Sequence, residues 1–141
     1  MKVADILQAK GTKVFSITSD ITVYEALKAM GERNIGALLV IEGQQLMGII
    51  SERDYARKII LRGKASSETT IEEVMTSKLE TVRLNSSIDD CMQIMTERHI
   101  RHLPIVEDGI VGGMISIGDL VKFVIEDQKQ TIEQLQNYIN S

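Results

Sequence analysis

A chain of 141 residues with 43% hydrophobic residues can fill the core of one domain or two very small ones, and this much Ile, Val, Leu and Met excludes disorder as its overall state. Its 16 Lys and Arg against 20 Asp and Glu leave a net charge of −4, which argues against a general nucleic-acid binder. No apolar run approaches the roughly 18–20 residues of a membrane span and residues 1–7 lack the features of a signal peptide, so a soluble, cytoplasmic protein is expected.

In chain order, Val3 to Leu7 predicts a short amphipathic lead-in helix, and Val14 to Ile17 a short strand. Val23, Ala26, Leu27 and Met30 then recur at i, i+3, i+4 and i+7, one apolar stripe of a helix. Two apolar runs, Ala37 to Ile41 and Leu46 to Ile50, flank Glu42-Gly43-Gln44-Gln45 and predict a hairpin. A second helix is expected from Ser51, followed by a polar linker near residues 62–70. Ile71 to Met75 predicts another lead-in helix and Glu80 to Leu84 a strand. Ile88, Cys91, Met92 and Met95 repeat the helical stripe, and Leu103 to Val106 and Ile110 to Ile115 form a second hairpin. The last helix is expected from Ser116 or Asp119 almost to Asn140, longer than so small a unit needs, as a partner-facing surface or a frayed tail.

The second half of that series is the first half again. At an offset of 65 residues, ten of the 25 positions from Met30 to Asp54 are identical, among them Arg33/Arg98, Glu42/Glu107, Gly48/Gly113, Ser51/Ser116 and Asp54/Asp119. The chain therefore reads as two β-α-β-β-α units in an α/β (α+β) arrangement: residues 1–62 with their lead-in helix, a linker at 63–70, and residues 71–141 with the extended C-terminal helix. Units this small are expected to share a core. Cys91 matches Ala26, and with Met30, Met92 and Met95 it reads as core; alone, it can make neither an internal disulfide nor a metal site.

The element order and several motifs resemble the tandem cystathionine-beta-synthase (CBS) domain pair, or Bateman module. The resembling segments are Thr22 to Met30, Gly48-Ile49-Ile50-Ser51-Glu52-Arg53-Asp54, Arg101-His102-Leu103-Pro104-Ile105-Val106, and Gly113 to Asp119. The resemblance implies a pseudo-two-fold pair that binds adenine nucleotides, AMP, ADP, ATP or NAD(H), or S-adenosylmethionine, in clefts between the copies. It also implies a regulatory, energy-sensing role without catalysis, a homodimer packed through helices, and a regulated protein partner that the sequence does not name. Carried over residue by residue, it implies one cleft built from Ser51, Arg53, Asp54, Thr81, Val82, Arg101 and His102, and another from Ser116, Asp119, Ser16, Ile17, Gly36 and Ala37.

The chemistry of these residues suits that expectation. An ionised Asp can accept hydrogen bonds from both hydroxyls of a ribose, and the N–H groups opening a helix at Ser51 or Ser116 suit phosphate. Ser-x-x-Asp is equally a helix-capping pattern, and the two roles can coexist. Gly48 and Gly113 leave room in their strands for another group to come close. Arg101 and His102 stand where the first copy has Gly36 and Ala37, so phosphate should favour the first cleft, the more so if His102 is protonated. Arg53, Arg57, Lys58, Arg62 and Lys64 extend the positive field, the distal ones as a solvated helix face. Pro104, the only proline, is expected at the start of its strand. The alternative is a ligand-independent interaction module using the C-terminal helix. No Ser/His/Asp set with a glycine elbow and no phosphate loop ending in Lys-Ser/Thr is present, so an enzyme acting on a nucleotide phosphate is the weakest reading.

Overall fold

A computed structural model of the chain describes residues 1–140; Ser141, the end of the expected second unit, lies outside the described residues. The elements are α1 (Val3–Lys10), β1 (Ser16–Ile17), α2 (Val23–Arg33), β2 (Ala37–Glu42), β3 (Gln45–Ser51), α3 (Glu52–Asp54), α4 (Ile71–Val74), α5 (Ile88–Arg98), β4 (His102–Glu107), β5 (Ile110–Ser116) and α6 (Ile117–Asn140). After α3 the chain widens into one π-helical segment, Tyr55–Ile60, a feature that apolar periodicity does not announce.

Equivalent residues make equivalent ends. Thr22 Oγ1 accepts the Glu25 N–H at 3.2 Å to start α2, and Ser87 Oγ accepts the Asp90 N–H at 3.0 Å to start α5. Both helices stop at a left-handed residue, Asn34 and His99, each at φ 54°. The Glu42/Glu107 identity also has a structural reason: Glu42 accepts from the Ser19 N–H at 2.9 Å, and Glu107 from the Leu84 N–H at 2.7 Å, pinning the turn before each helix to a hairpin.

In the first copy β1 runs parallel to β2, which pairs antiparallel with β3. In the second copy β4 pairs with β5, and the strand expected over Glu80 to Leu84 is reduced to one parallel bridge, Val82 to Ile105. The missing pair is the one equivalent to Ser16 with Leu39, where the second copy has Pro104 and so no N–H for the ladder; the Leu84 carbonyl beyond it accepts the Ala4 N–H of α1 at 2.9 Å. Pro104 lies inside β4 rather than at its start, opposite Met114, with its carbonyl accepting the Val82 N–H at 3.0 Å.

The expected shared core is instead two. One gathers Val23, Ala26, Met30, Leu38, Ile50 and Ile59; the other gathers Val82, Ile88, Cys91, Met95, Leu103 and Leu120. Each is completed by a lead-in helix from the opposite half of the chain. Val3, Ile6 and Leu7 of α1 enter the second core, while Ile71 and Val74 of α4 enter the first. A sheet of two or three strands with one main helix leaves an open flank, and the exchanged helix covers it. The repeated glycines mark where. A Cβ on Gly48 would lie 2.8 Å from Met75 Sδ and 2.9 Å from the Thr76 carbonyl, and a Cβ on Gly113 would lie 3.1 Å from a Leu7 methyl. The 63–70 segment is tied to the first copy: the carbonyls of Ser66 and Thr69 accept the Tyr24 and Val23 N–H groups that open α2.

Candidate functional site

Where the copies meet, β3 and β5 are in contact and a cavity of about 750 Å3 opens beside them. Its lining comes from Ile49 and Ser51 of β3, Arg53, Asp54 and Arg57 after it, Thr76 with Lys78 to Glu80 from the connection, and Arg98 to His102 with Pro104. Five of these side chains are Arg or Lys and two are Asp or Glu, a local excess of positive charge in a chain whose net charge is −4. Arg98 pairs with Glu80 at 3.4 Å, and Arg53 donates to the His99 carbonyl at 3.2 Å, tying the first copy to the second. Arg57, Lys78 and Arg101 have no hydrogen-bonded or ion-paired acidic partner among the described residues and remain available to an anion.

Asp54 first serves its own helix. Its Oδ2 accepts the Ser51 N–H at 2.9 Å and the Ser51 hydroxyl at 3.1 Å, while the Asp54 N–H donates back to Ser51 Oγ at 3.2 Å. That is the capping box anticipated as the structural role of Ser-x-x-Asp. Oδ1 points toward Lys58 at 3.4 Å, but the ammonium gives its hydrogen bonds to the Val74 carbonyl at 2.9 Å and Thr76 Oγ1 at 3.2 Å. The carboxylate thus keeps accepting capacity on the edge not used by the cap.

Of the residues assigned to this cleft, Ser51, Arg53, Asp54, Arg101 and His102 line the cavity. Thr81 and Val82 are not among its lining residues; the Val82 side chain is buried in the second core, where its bridge to Ile105 places it. Sequence reasoning missed Lys78, Glu80 and Arg98. Arg98 was visible only as an identity with Arg33, which lies over the Phe15 ring at 4.3 Å and serves a different end.

The second cleft differs. Asp119 accepts the Ser116 N–H at 2.8 Å and its own N–H donates to Ser116 Oγ at 3.1 Å, as in the first copy. Here, however, Lys10 Nζ sits 2.6 Å from Asp119 Oδ2 and also donates to the Met114 carbonyl at 2.7 Å. Burial opposes ionisation of Asp119, but the Lys10 hydrogen bond, the Ser116 N–H and the Lys10 charge outweigh it and hold the carboxyl below the usual range. Ser16 and Ile17 pair with Leu39 and Val40, Ala37 is buried, and the Gly36 carbonyl accepts the Glu52 N–H at 3.1 Å. Among the described residues no hydrogen bond or ion pair joins those four to Asp119.

His102 stands between the clefts, its ring next to Gly36 and within the field of Lys10 and Asp119. Burial, then Lys10, lowers its pKa; Asp119 opposes and Arg101 adds to the lowering. The imidazole is therefore mostly neutral at pH 7, and the positive charge lining the cavity is that of arginine and lysine.

The two copies correspond to a known domain. The family model described as CBS domain matches residues 3–61 and again residues 71–126. The chain belongs to the CBS-domain family. It is 40% identical over 146 residues to the mitochondrial CBS domain-containing protein CBSX3 of Arabidopsis thaliana, covering 97% of this chain and 71% of that one. A CBS-domain protein of Burkholderia ambifaria MC40-6 shares 48% identity and a TM-score of 0.87 over 91% of this chain and 96% of its own. The CBS domain pair of protein MJ0100, solved with 5′-methylthioadenosine and S-adenosyl-L-methionine, shares 27% identity and a TM-score of 0.79 over 90% of this chain and 98% of that one. CBS pairs are in general regulatory, signal-transducing modules, and the mixed helix and strand content here matches theirs. No helix among the described residues is long and apolar enough to cross a membrane.

Proposed function

We propose that this CBS pair is a non-catalytic sensor that binds an adenine nucleotide, AMP, ADP, ATP or NAD(H), in the cleft between Asp54 and Arg101. The observation that carries this is the cavity itself: five cations gathered around two carboxylates in an acidic chain form a seat for a polyphosphate, with Asp54 placed to take ribose hydroxyls. The adenosine ligands held by the MJ0100 pair support the class of ligand. A ligand bridging Arg53 of one copy and Arg101 of the other favours one relative arrangement of the copies, and a partner protein reads it. Calorimetry with AMP, ATP, NADH and S-adenosylmethionine on wild type, Asp54→Ala and Arg101→Ala tests this. Binding lost in both variants supports the site; no binding by wild type, or binding unchanged in both, refutes it.

A second observation bears on assembly. Ile117, Val121 and Ile125 form an exposed apolar stripe on α6, continued by the exposed Ile132, Leu135 and Ile139. We assign it to a second copy of the chain. Ile125→Asp is expected to turn a dimer into a monomer by light scattering; a wild-type monomer at high concentration refutes the assignment.

A further inference from the structure

We infer that Lys10 is a built-in occupant of the second cleft, so that each chain takes one nucleotide where its two-fold repeat offers two sites. The inference rests on the nucleotide reading above and concerns the inequality of the two sites. Asp54 and Asp119 are equivalent in the repeat and sit in the same capping arrangement at the end of the second hairpin strand of each copy. What distinguishes them is the cation. The Lys10 ammonium lies 2.6 Å from Asp119 Oδ2, a short charge-assisted hydrogen bond, and a second bond to the Met114 carbonyl holds it there. At Asp54 the nearest ammonium is 3.4 Å away and gives two of its three hydrogens to Val74 and Thr76.

The fold delivers Lys10 rigidly. It is the last residue of α1, whose Val3, Ile6 and Leu7 are buried in the second core, and the Gly11 N–H closes the helix on the Leu7 carbonyl at 2.7 Å. The Asp119 side chain is 25% exposed and that of Asp54 18%, so the difference between them lies in the ammonium hydrogen-bonded to Asp119 and not in exposure. A ribose diol reaching Asp119 must displace a hydrogen-bonded ammonium to find both carboxylate oxygens, whereas at Asp54 it meets an Oδ1 that has a cation 3.4 Å away and accepts no hydrogen bond. The offset of 65 pairs Lys10 with Met75, so the first cleft has no counterpart of this cation in the repeat.

The test is calorimetric stoichiometry with AMP on the full chain. Wild type is expected to bind one AMP per chain and Lys10→Met two, the second site gaining at least tenfold in affinity on loss of the charge-assisted bond. Lys10→Arg keeps the cation and one AMP, and Lys10→Met with Asp119→Ala returns to one. Thermal melts of each variant establish that it is folded before titration. Two AMP per wild-type chain, or one per folded Lys10→Met chain, overturns the role of Lys10 and leaves the first site standing. No AMP bound by wild type or by Lys10→Met removes the inference, and if ATP, NADH and S-adenosylmethionine fail as well, the nucleotide reading falls with it.

Discussion

Gly48→Ala should weaken the fold through a contact between segments far apart in sequence. The new methyl would lie 2.8 Å from Met75 Sδ and 2.9 Å from the Thr76 carbonyl oxygen. The sulfur belongs to a flexible side chain and can swing away. The carbonyl cannot, because Thr76 is bonded to Ile49 in both directions, at 2.9 and 3.0 Å. Relieving the clash means overpacking, costing about 1–3 kcal/mol, or surrendering two hydrogen bonds at about 1 kcal/mol each. A loss of about 2–3 kcal/mol is expected, and at roughly 4 °C per kcal/mol the midpoint falls by about 8–12 °C. Two variants calibrate the measurement in urea. Gly113→Ala meets only side-chain methyls, those of Leu7 at 3.1 and 3.2 Å and of Ile105 at 3.5 Å, which can rotate, so it should cost about 1 kcal/mol. Gly31→Ala in α2 meets nothing within 4 Å and should gain about 0.5–1 kcal/mol of helix stability. If Gly48→Ala is as stable as wild type, or loses less than Gly113→Ala, the strap at Thr76 is not what the glycine accommodates.

Stability should fall as pH drops below 7. His102 titrates lower in the fold than its ordinary 6.5, so the unfolded chain binds the extra proton first; stability is lost from about pH 6.5 downward, and His102→Asn should flatten that part of the curve. Asp119 is also lowered, so its contribution is complete above its unfolded value and disappears only at more acid pH, as protonation releases Lys10; urea midpoints from pH 8 to 3 should show the two steps separately, and a flat profile between pH 7 and 5 refutes the first. Cys91 is buried and its thiol is pushed up to about 11, mainly by burial and then by Asp90, so a thiol reagent at pH 8 should label it only in denaturant; rapid native labelling refutes this. Ile71→Ala should cost about 2–5 kcal/mol and speed hydrogen exchange in α2, although residue 71 belongs by sequence to the second unit; exchange confined to α5 would contradict the exchanged packing.

The helices and hairpins were legible in the sequence because they are local. Val23, Ala26 and Met30 are all buried at the spacing that announced them, and both hairpins fall where a turn separated two apolar runs. Contacts across the chain were not legible. Nothing in the spacing of Val3, Ile6 and Leu7 says which core they enter, since an amphipathic stripe specifies a face but not a partner. The shortening of the strand near Val82, by contrast, was written in the sequence: Pro104 replaces the Leu39 that pairs with Ser16, and it has no N–H for that ladder. In the site, Ser51 and Asp54 carried both a capping and a binding signal, and the capping half is seen in their hydrogen bonds. Lys10 gave no signal, because its partner is 109 residues away and its counterpart in the repeat is a methionine.

The exchanged helices also govern the order in which the molecule can be assembled. Everything the first core needs has been synthesised once Val74 has emerged, so that half can close while the rest is still being made. The N-terminal helix is made first, yet its partners run as far along the chain as Leu120, and its apolar face stays without a seat until then. A cut after residue 62 would therefore deprive the first core of Ile71 and Val74 and leave α1 with nowhere to dock, whereas one near residue 77 spares the first core whole. The repeat in the sequence and the unit that closes on itself are offset by one helix, and the earliest segment of the chain is among the last to be buried.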